Sequence, residues 1–312
     1  MEKYKIEKDS VQEIPIRFLV ASVSYWQSWP TDRCTCKSSG STLRNTVTVR
    51  LEENMPIELW QGLLIPFAGT TLGAACVFFM RNNLGEMVQR ALTGFAAGVM
   101  VAASIWSLLL PAMEQAADMG RWSFVPAVAG FWLGILFLLG LDRLIPHLHR
   151  GSAEAEGIKS SLGKTTMLTL AVALHNIPEG LAVGVAFGSA AMDGGTSLIG
   201  AVMLAVGIGI QNFPEGTCVA MPLRREGAGR WKSFLVGQFS GIVEPVAGVF
   251  GALFAITVQS ALPIVLSFSA GAMISVVCSE LIPESFRDNK QLASAGVLAG
   301  FVVMMMLDVA LG

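Results

Sequence analysis

Two short segments of this chain hold side chains suited to binding metal. They are His175-Asn176-Ile177-Pro178-Glu179-Gly180 and Gln211-Asn212-Phe213-Pro214-Glu215-Gly216, each reading His or Gln and then Asn-x-Pro-Glu-Gly. On a helix, His175 and Glu179 stand four residues apart and share a face, as do Gln211 and Glu215. Asn176 and Asn212 stand three residues from the same glutamates and lie beside them. Each proline withholds an N–H, so the carbonyl of Leu174 or Ile210 loses its helical partner and the helix kinks. Glu244-Pro245 repeats the pairing of a carboxylate with a helix breaker. Imidazole with carboxylates suits Zn2+, and equally Fe2+, Mn2+, Co2+, Ni2+ or Cd2+. Three carboxylates sum to −3, so one divalent ion leaves −1 and two leave +1. A two-ion site with bridging carboxylates is therefore within reach. The competing reading is a hydrogen-bond network that only ties helices together. The amides of Gln211, Asn176 and Asn212 serve either reading. Met100 carries less weight, because a helical methionine is most often filler.

The elements that must position these groups are apolar. Of 312 residues, 53% are hydrophobic and only 14% charged, with a mean hydropathy of +0.59. A soluble domain carries roughly 25% charged residues, so an ordinary soluble enzyme is excluded. A net charge of −2, with no basic patch interleaved with aromatics, offers nothing to nucleic acid. Five cysteines, three of them inside apolar runs, make neither a disulfide framework nor a thiolate cage. Eight stretches reach the roughly 20 apolar residues that cross a bilayer: 61–80, 88–111, 123–145, 165–189, 196–221, 231–258, 262–282 and 291–311. The expected fold is all-α, a polytopic membrane bundle of eight transmembrane helices. An ionised carboxylate at the bilayer centre costs about 3 kcal/mol on insertion scales. Three of them with a histidine become tolerable when they converge on a polyvalent cation.

Residues 1–54 differ from the rest. Fifteen of these 54 are charged, and the segment is expected to be a disordered tail ahead of a transmembrane domain spanning 55–312. Basic residues set the orientation. Twelve lie in the loops after spans 1, 3, 5 and 7, against Arg121 alone in the loops on the other side, which places both ends of the bundle outside. The eight basic residues of the tail break this pattern. A natural start at Met55 would remove the conflict.

An internal repeat accompanies the spans. Gly94-Phe95-Ala96-Ala97-Gly98-Val99-Met100 is echoed by Ser267-Phe268-Ser269-Ala270-Gly271-Ala272-Met273, and Ala129-Gly130-Phe131 by Ala299-Gly300-Phe301. Spans 1–3 thus resemble spans 6–8 but cross in the opposite sense, an inverted repeat of the transporter kind with a site near the midplane.

These residues resemble the ZIP (Zrt/Irt-like) family of divalent-metal transporters, closest to its GufA-like branch, over about 55–312. The resemblance implies eight spans in a 3+2+3 inverted-repeat arrangement, uptake toward the cytoplasm, and a binuclear site between spans 4 and 5. It assigns His175, Glu179, Gln211, Glu215 and Met100 to a primary ion, and Asn176, Asn212 and Glu244 with the bridging glutamates to a second. Relatives carry Asp where Asn212 stands, so the second site here has one negative charge fewer. The resemblance places Ser107, Glu114 and Asp308 along the path of ion access. It places His147 and His149, with Asp142, Glu280 and Glu284, at a cytoplasmic exit, where Ser279 replaces a histidine of some relatives.

The expected activity is carriage of Zn2+, or of Fe2+, Mn2+ or Cd2+, as substrate. No phosphate-binding Gly-x-x-x-x-Gly-Lys motif is present, and no organic cofactor and no enzymatic activity are expected. The expected partners are divalent ions and the lipid bilayer, with a homodimer left open. A bacterial inner membrane is the expected location. The rivals are a membrane-embedded metal sensor and an intramembrane metalloenzyme; the latter lacks a His-Glu-x-x-His signature.

Overall fold

The computed structural model describes residues 57–79, 85–146, 164–192, 195–287 and 289–311. The 1–54 tail, Met55, His147 and His149 lie outside the described residues. Among the described residues there is no strand. Eight helices there are long and apolar enough to cross a membrane: Glu58–Phe79, Met87–Gln115, Phe124–Leu144, Thr169–Ala190, Leu198–Arg225, Arg230–Thr257, Gln259–Ser285 and Lys290–Ala310. They coincide with the eight stretches read from hydropathy and are numbered spans 1 to 8 in that order. In lipid, every backbone polar group must find its partner within the protein, which selects helices.

Prolines act differently from one span to another. Spans 4 and 5 remain helical through Pro178, Pro214 and Pro222, so the motif prolines do not interrupt these helices. Span 6 is broken. One helix ends at Ser240, the next begins at Val243, and Gly241-Ile242 forms the turn between them. Pro245 falls in the first turn of the second helix, where a missing N–H costs little. Span 2 contains a π-helical turn, Ser104–Leu109, and span 7 another, Val277–Leu281. The alignment of Phe95 with Phe268 puts the two turns at equivalent positions of the repeat, each shortly before a proline, Pro111 or Pro283. A wider turn accommodates a ring that would clash with the preceding turn of an α-helix.

Four helix pairs make the most extensive contacts: span 1 with span 5, span 4 with span 6, span 2 with span 8 and span 3 with span 7. Exchanging spans 1, 2, 3 and 4 for 6, 7, 8 and 5 leaves this set unchanged, as a repeat of spans 1–3 in spans 6–8 requires. Each seam is lined by glycine. A Cβ on Gly73 would come 2.0 Å from the Phe213 carbonyl oxygen, on Gly184 1.9 Å from that of Gly248, on Gly98 2.0 Å from that of Val297, and on Gly134 2.0 Å from that of Phe268. Lipid gives apolar helices little hydrophobic reason to associate, so close backbone approach supplies the contact. The main apolar core gathers Met100, Leu108, Leu204, Ile208, Leu266, Met273 and Met304. Span 4 is the most enclosed helix, whereas spans 3 and 8 are the most exposed.

Candidate metal centre

The paired motifs meet in the middle of the bundle. Asn176, Glu179, Gln211, Asn212 and Glu244 are all buried, with exposures of 1% or less. Gln211 Nε2 donates to Glu179 Oε1 at 2.5 Å, joining span 5 to span 4. Asn176 Nδ2 donates to the Ser240 carbonyl at 3.1 Å. That carbonyl belongs to the last turn of the helix that ends at the span 6 break, so Asn176 supplies a donor that the interrupted helix lacks. Thr70 Oγ1, from span 1, donates to Glu244 Oε1 at 2.9 Å. Asn212 lies beside both Glu179 and Glu244, although its amide nitrogen closes a hydrogen bond to neither.

Each carboxylate keeps an oxygen in reserve. Glu179 Oε2, Glu215 Oε2 and Glu244 Oε2 are buried without a hydrogen-bond partner, as are the amide oxygens of Asn176 and Gln211. Orphaned buried acceptors are costly. Five of them on three neighbouring spans make a set of hard oxygen donors of the kind a divalent cation takes. Their charges act on one another: Glu215 and Glu244 both act on Glu179, and Glu215 acts on Glu244 and on His175. Among the described residues no three His, Cys, Asp or Glu side chains are already gathered into a cage. The oxygens share a neighbourhood, with Glu179 tethered by the Gln211 amide and Glu244 by the Thr70 hydroxyl.

The remaining residues singled out from the sequence are distributed around this centre. His175 Nε2 pairs with Glu280 Oε2 of span 7. Glu280, read from sequence as part of an exit, therefore reaches the central motif, and the charge of Asp142 also acts on His175. Glu284 is half-buried one turn further along. Ser107 Oγ donates to Asp308 at 2.8 and 3.0 Å, which brings two of the access residues together across spans 2 and 8. Glu114 is exposed at the end of span 2. Met100 is fully enclosed and packs within the main apolar core.

Two participants escaped the sequence reading. Thr70 carries no motif, and only its separation from Glu244, nearly that of Phe95 from Phe268, marks it. The Ser240 carbonyl becomes available only because span 6 breaks, which Gly241 and Pro245 together signal.

A bundle of eight membrane-crossing helices around buried carboxylates and amides defines an integral, multi-pass protein with a polar centre. The profile of the ZIP zinc transporters matches residues 150–308. The human zinc transporter ZIP11 is 37% identical over 330 aligned positions, covering 80% of this chain and 96% of the relative. The zinc transporter ZIPB of Bordetella bronchiseptica is 38% identical, covering 79% of each chain, and the zinc transporter GufA of Myxococcus xanthus is 37% identical, covering 78% and 96%. The chain belongs to the ZIP family.

Proposed function

We propose that this protein carries Zn2+ across its membrane toward the cytoplasm through the centre formed by His175, Asn176, Glu179, Gln211, Asn212, Glu215 and Glu244, with Met100 at its apolar edge. The observation that carries the reading is the set of unpartnered buried oxygens on Glu179, Glu215 and Glu244. The names of the relatives place zinc first, and Fe2+, Mn2+ and Cd2+ compete for the same donors. Two ions share the centre, with the glutamates bridging. Replacing the usual Asp by Asn212 makes the second ion the weaker one.

Ligation needs deprotonated groups, so an arriving ion releases protons from the carboxylates. It also frees His175 from Glu280, and that exchange couples occupancy of the centre to span 7. The strongest packing pairs support a carrier unit of spans 1, 4, 5 and 6 moving against spans 2, 3, 7 and 8. The membrane potential adds about 2.3 kcal/mol per charge per 100 mV. The basic loops after the odd spans lie on the cytoplasmic side, the side toward which an inside-negative potential drives a cation. Asp308 with Ser107, and Glu114 further out, attract the ion on the outer side. Asp142, Glu280 and Glu284, with His147 and His149, receive it on the inner side.

Flux into proteoliposomes tests this. Wild-type vesicles take up radiolabelled zinc with competition by Cd2+, and His175→Ala loses the uptake. Zinc binding without flux in the wild type would establish a sensor instead. Asp308→Asn, which weakens the attraction but keeps a partner for Ser107, is expected to slow initial zinc uptake several-fold while equilibrium binding in detergent stays unchanged. Equal loss of binding would move Asp308 into the centre itself.

A further inference from the structure

We propose that Thr70 is the positioning residue of the centre, holding one oxygen of Glu244 so that the other is presented to the ion. The inference rests on the reading of Glu244 as a metal ligand. Thr70 is fully buried in span 1, and its hydroxyl reaches Glu244 Oε1 at 2.9 Å, while the Pro66 carbonyl lies at 3.5 Å. A hydroxyl has one proton to donate, and the shorter contact to a carboxylate is the stronger of the two. Glu244 Oε2 has no partner. The hydrogen bond therefore divides the carboxylate into a tethered oxygen and a presented one.

The surroundings hold Thr70 in place. A Cβ on Gly216, the last residue of the span 5 motif, would come 2.0 Å from the Thr70 carbonyl oxygen. A Cβ on Gly241, at the break in span 6, would come 2.8 Å from Thr70 Cγ2. In the other half of the repeat, a Cβ on Gly180 of the span 4 motif would come 2.2 Å from the Glu244 carbonyl oxygen. Thr70 thus stands to the span 5 motif as Glu244 stands to the span 4 motif. Where strict symmetry would place a second carboxylate, the chain has a hydroxyl that donates to the first. That substitution keeps the centre at three carboxylates and gives Glu244 a fixed orientation.

Thr70→Val is nearly isosteric and keeps a methyl group against Gly241, but it has no donor. Losing a residue that orients a metal ligand costs about 10–100-fold in metal affinity, so the apparent KM for zinc is expected to rise at least about ten-fold, with kcat little changed. Thr70→Ser, which retains the hydroxyl, is expected to restore the wild-type KM. In a Glu244→Gln background, Thr70→Val should add nothing. Wild-type kinetics for Thr70→Val alongside an impaired Glu244→Gln would overturn the role of Thr70 and leave the metal centre standing. An equal penalty in both backgrounds, or no rescue by serine, would make Thr70 a packing residue and also overturn it. Wild-type transport by Glu244→Gln would overturn both the centre and the inference.

Discussion

Replacing Glu179 by Gln is expected to abolish zinc transport and, at the same time, to raise the thermal stability of the metal-free protein. Glu179 is fully buried, accepts from Gln211 and lies in the field of Glu215 and Glu244. Glutamine retains an oxygen for Gln211 and fills the same volume, but removes the charge that the metal needs and, with it, the cost to the metal-free protein of burying that charge or holding it protonated. Loss of a residue that only orients a ligand costs about 10–100-fold in metal affinity, so loss of a ligand itself should cost at least about 100-fold. Without metal, the same change relieves a carboxylate that is expensive at this depth. The two effects separate in a thermal melt. Zinc at about 100 times its Kd should stabilise the wild type by about 2.7 kcal/mol, whereas the variant should start higher and not respond. Zinc flux at the wild-type rate in Glu179→Gln vesicles would remove this carboxylate from the mechanism. Glu179→Ala should abolish flux as well, but without the gain in stability, because it leaves a cavity and strands the Gln211 amide.

Gly184→Val is expected to be the most damaging substitution away from the polar groups. Its Cβ would stand 1.9 Å from the Gly248 carbonyl oxygen and 2.7 Å from the Gly248 Cα. Both are backbone atoms, which cannot swing aside as the end of a side chain can. Spans 4 and 6 must then separate, and with them Glu179 and Glu244. Overpacking by a single methyl already costs about 1–3 kcal/mol, and valine adds three carbons at a contact with no room for the first. Size-exclusion chromatography in detergent should show little monodisperse protein, and the remainder should melt well below the wild type. Gly140→Ala is the control. A Cβ at Gly140 meets nothing within 4 Å, so this variant should behave as the wild type. Equal behaviour of the two variants would show that the seam between spans 4 and 6 does not hold the centre together.

The two substitutions probe different layers of the molecule, and those layers were not equally legible beforehand. Spans 1 to 8 emerge from hydropathy alone, because each must satisfy its own backbone in lipid and so must be a long apolar helix. The burial of Glu179, Glu215 and Glu244 inside that apolar frame is equally a matter of composition and spacing. The repeat linking Phe95 to Phe268 was readable as well, whereas the pairing of span 2 with span 8 and of span 7 with span 3, which obeys its symmetry, emerged only from the packing. The Pro-Glu-Gly motifs marked side chains that the fold brings together at its buried centre. Spans 4 and 5 continue as helices through their prolines, and the interruption falls in span 6, where Gly241 makes room for Thr70 and Pro245 withholds an N–H. The contact of Glu280 with His175, between spans 7 and 4, was not legible in the chain.

What the amino-acid sequence determined by itself is local and periodic: how long each apolar helix is, which face carries an acid, and where a motif recurs. Partners between distant spans were left to the tertiary structure. Thr70 meets Glu244 across 174 positions of chain and Ser107 meets Asp308 across 201. Such contacts depend on which glycine seams close and at what height two helices cross, and one turn of slippage would exchange every partner. The number of buried charges could be read from the chain, but which oxygen of each is tethered, and which is left for an ion, was decided only when the helices packed.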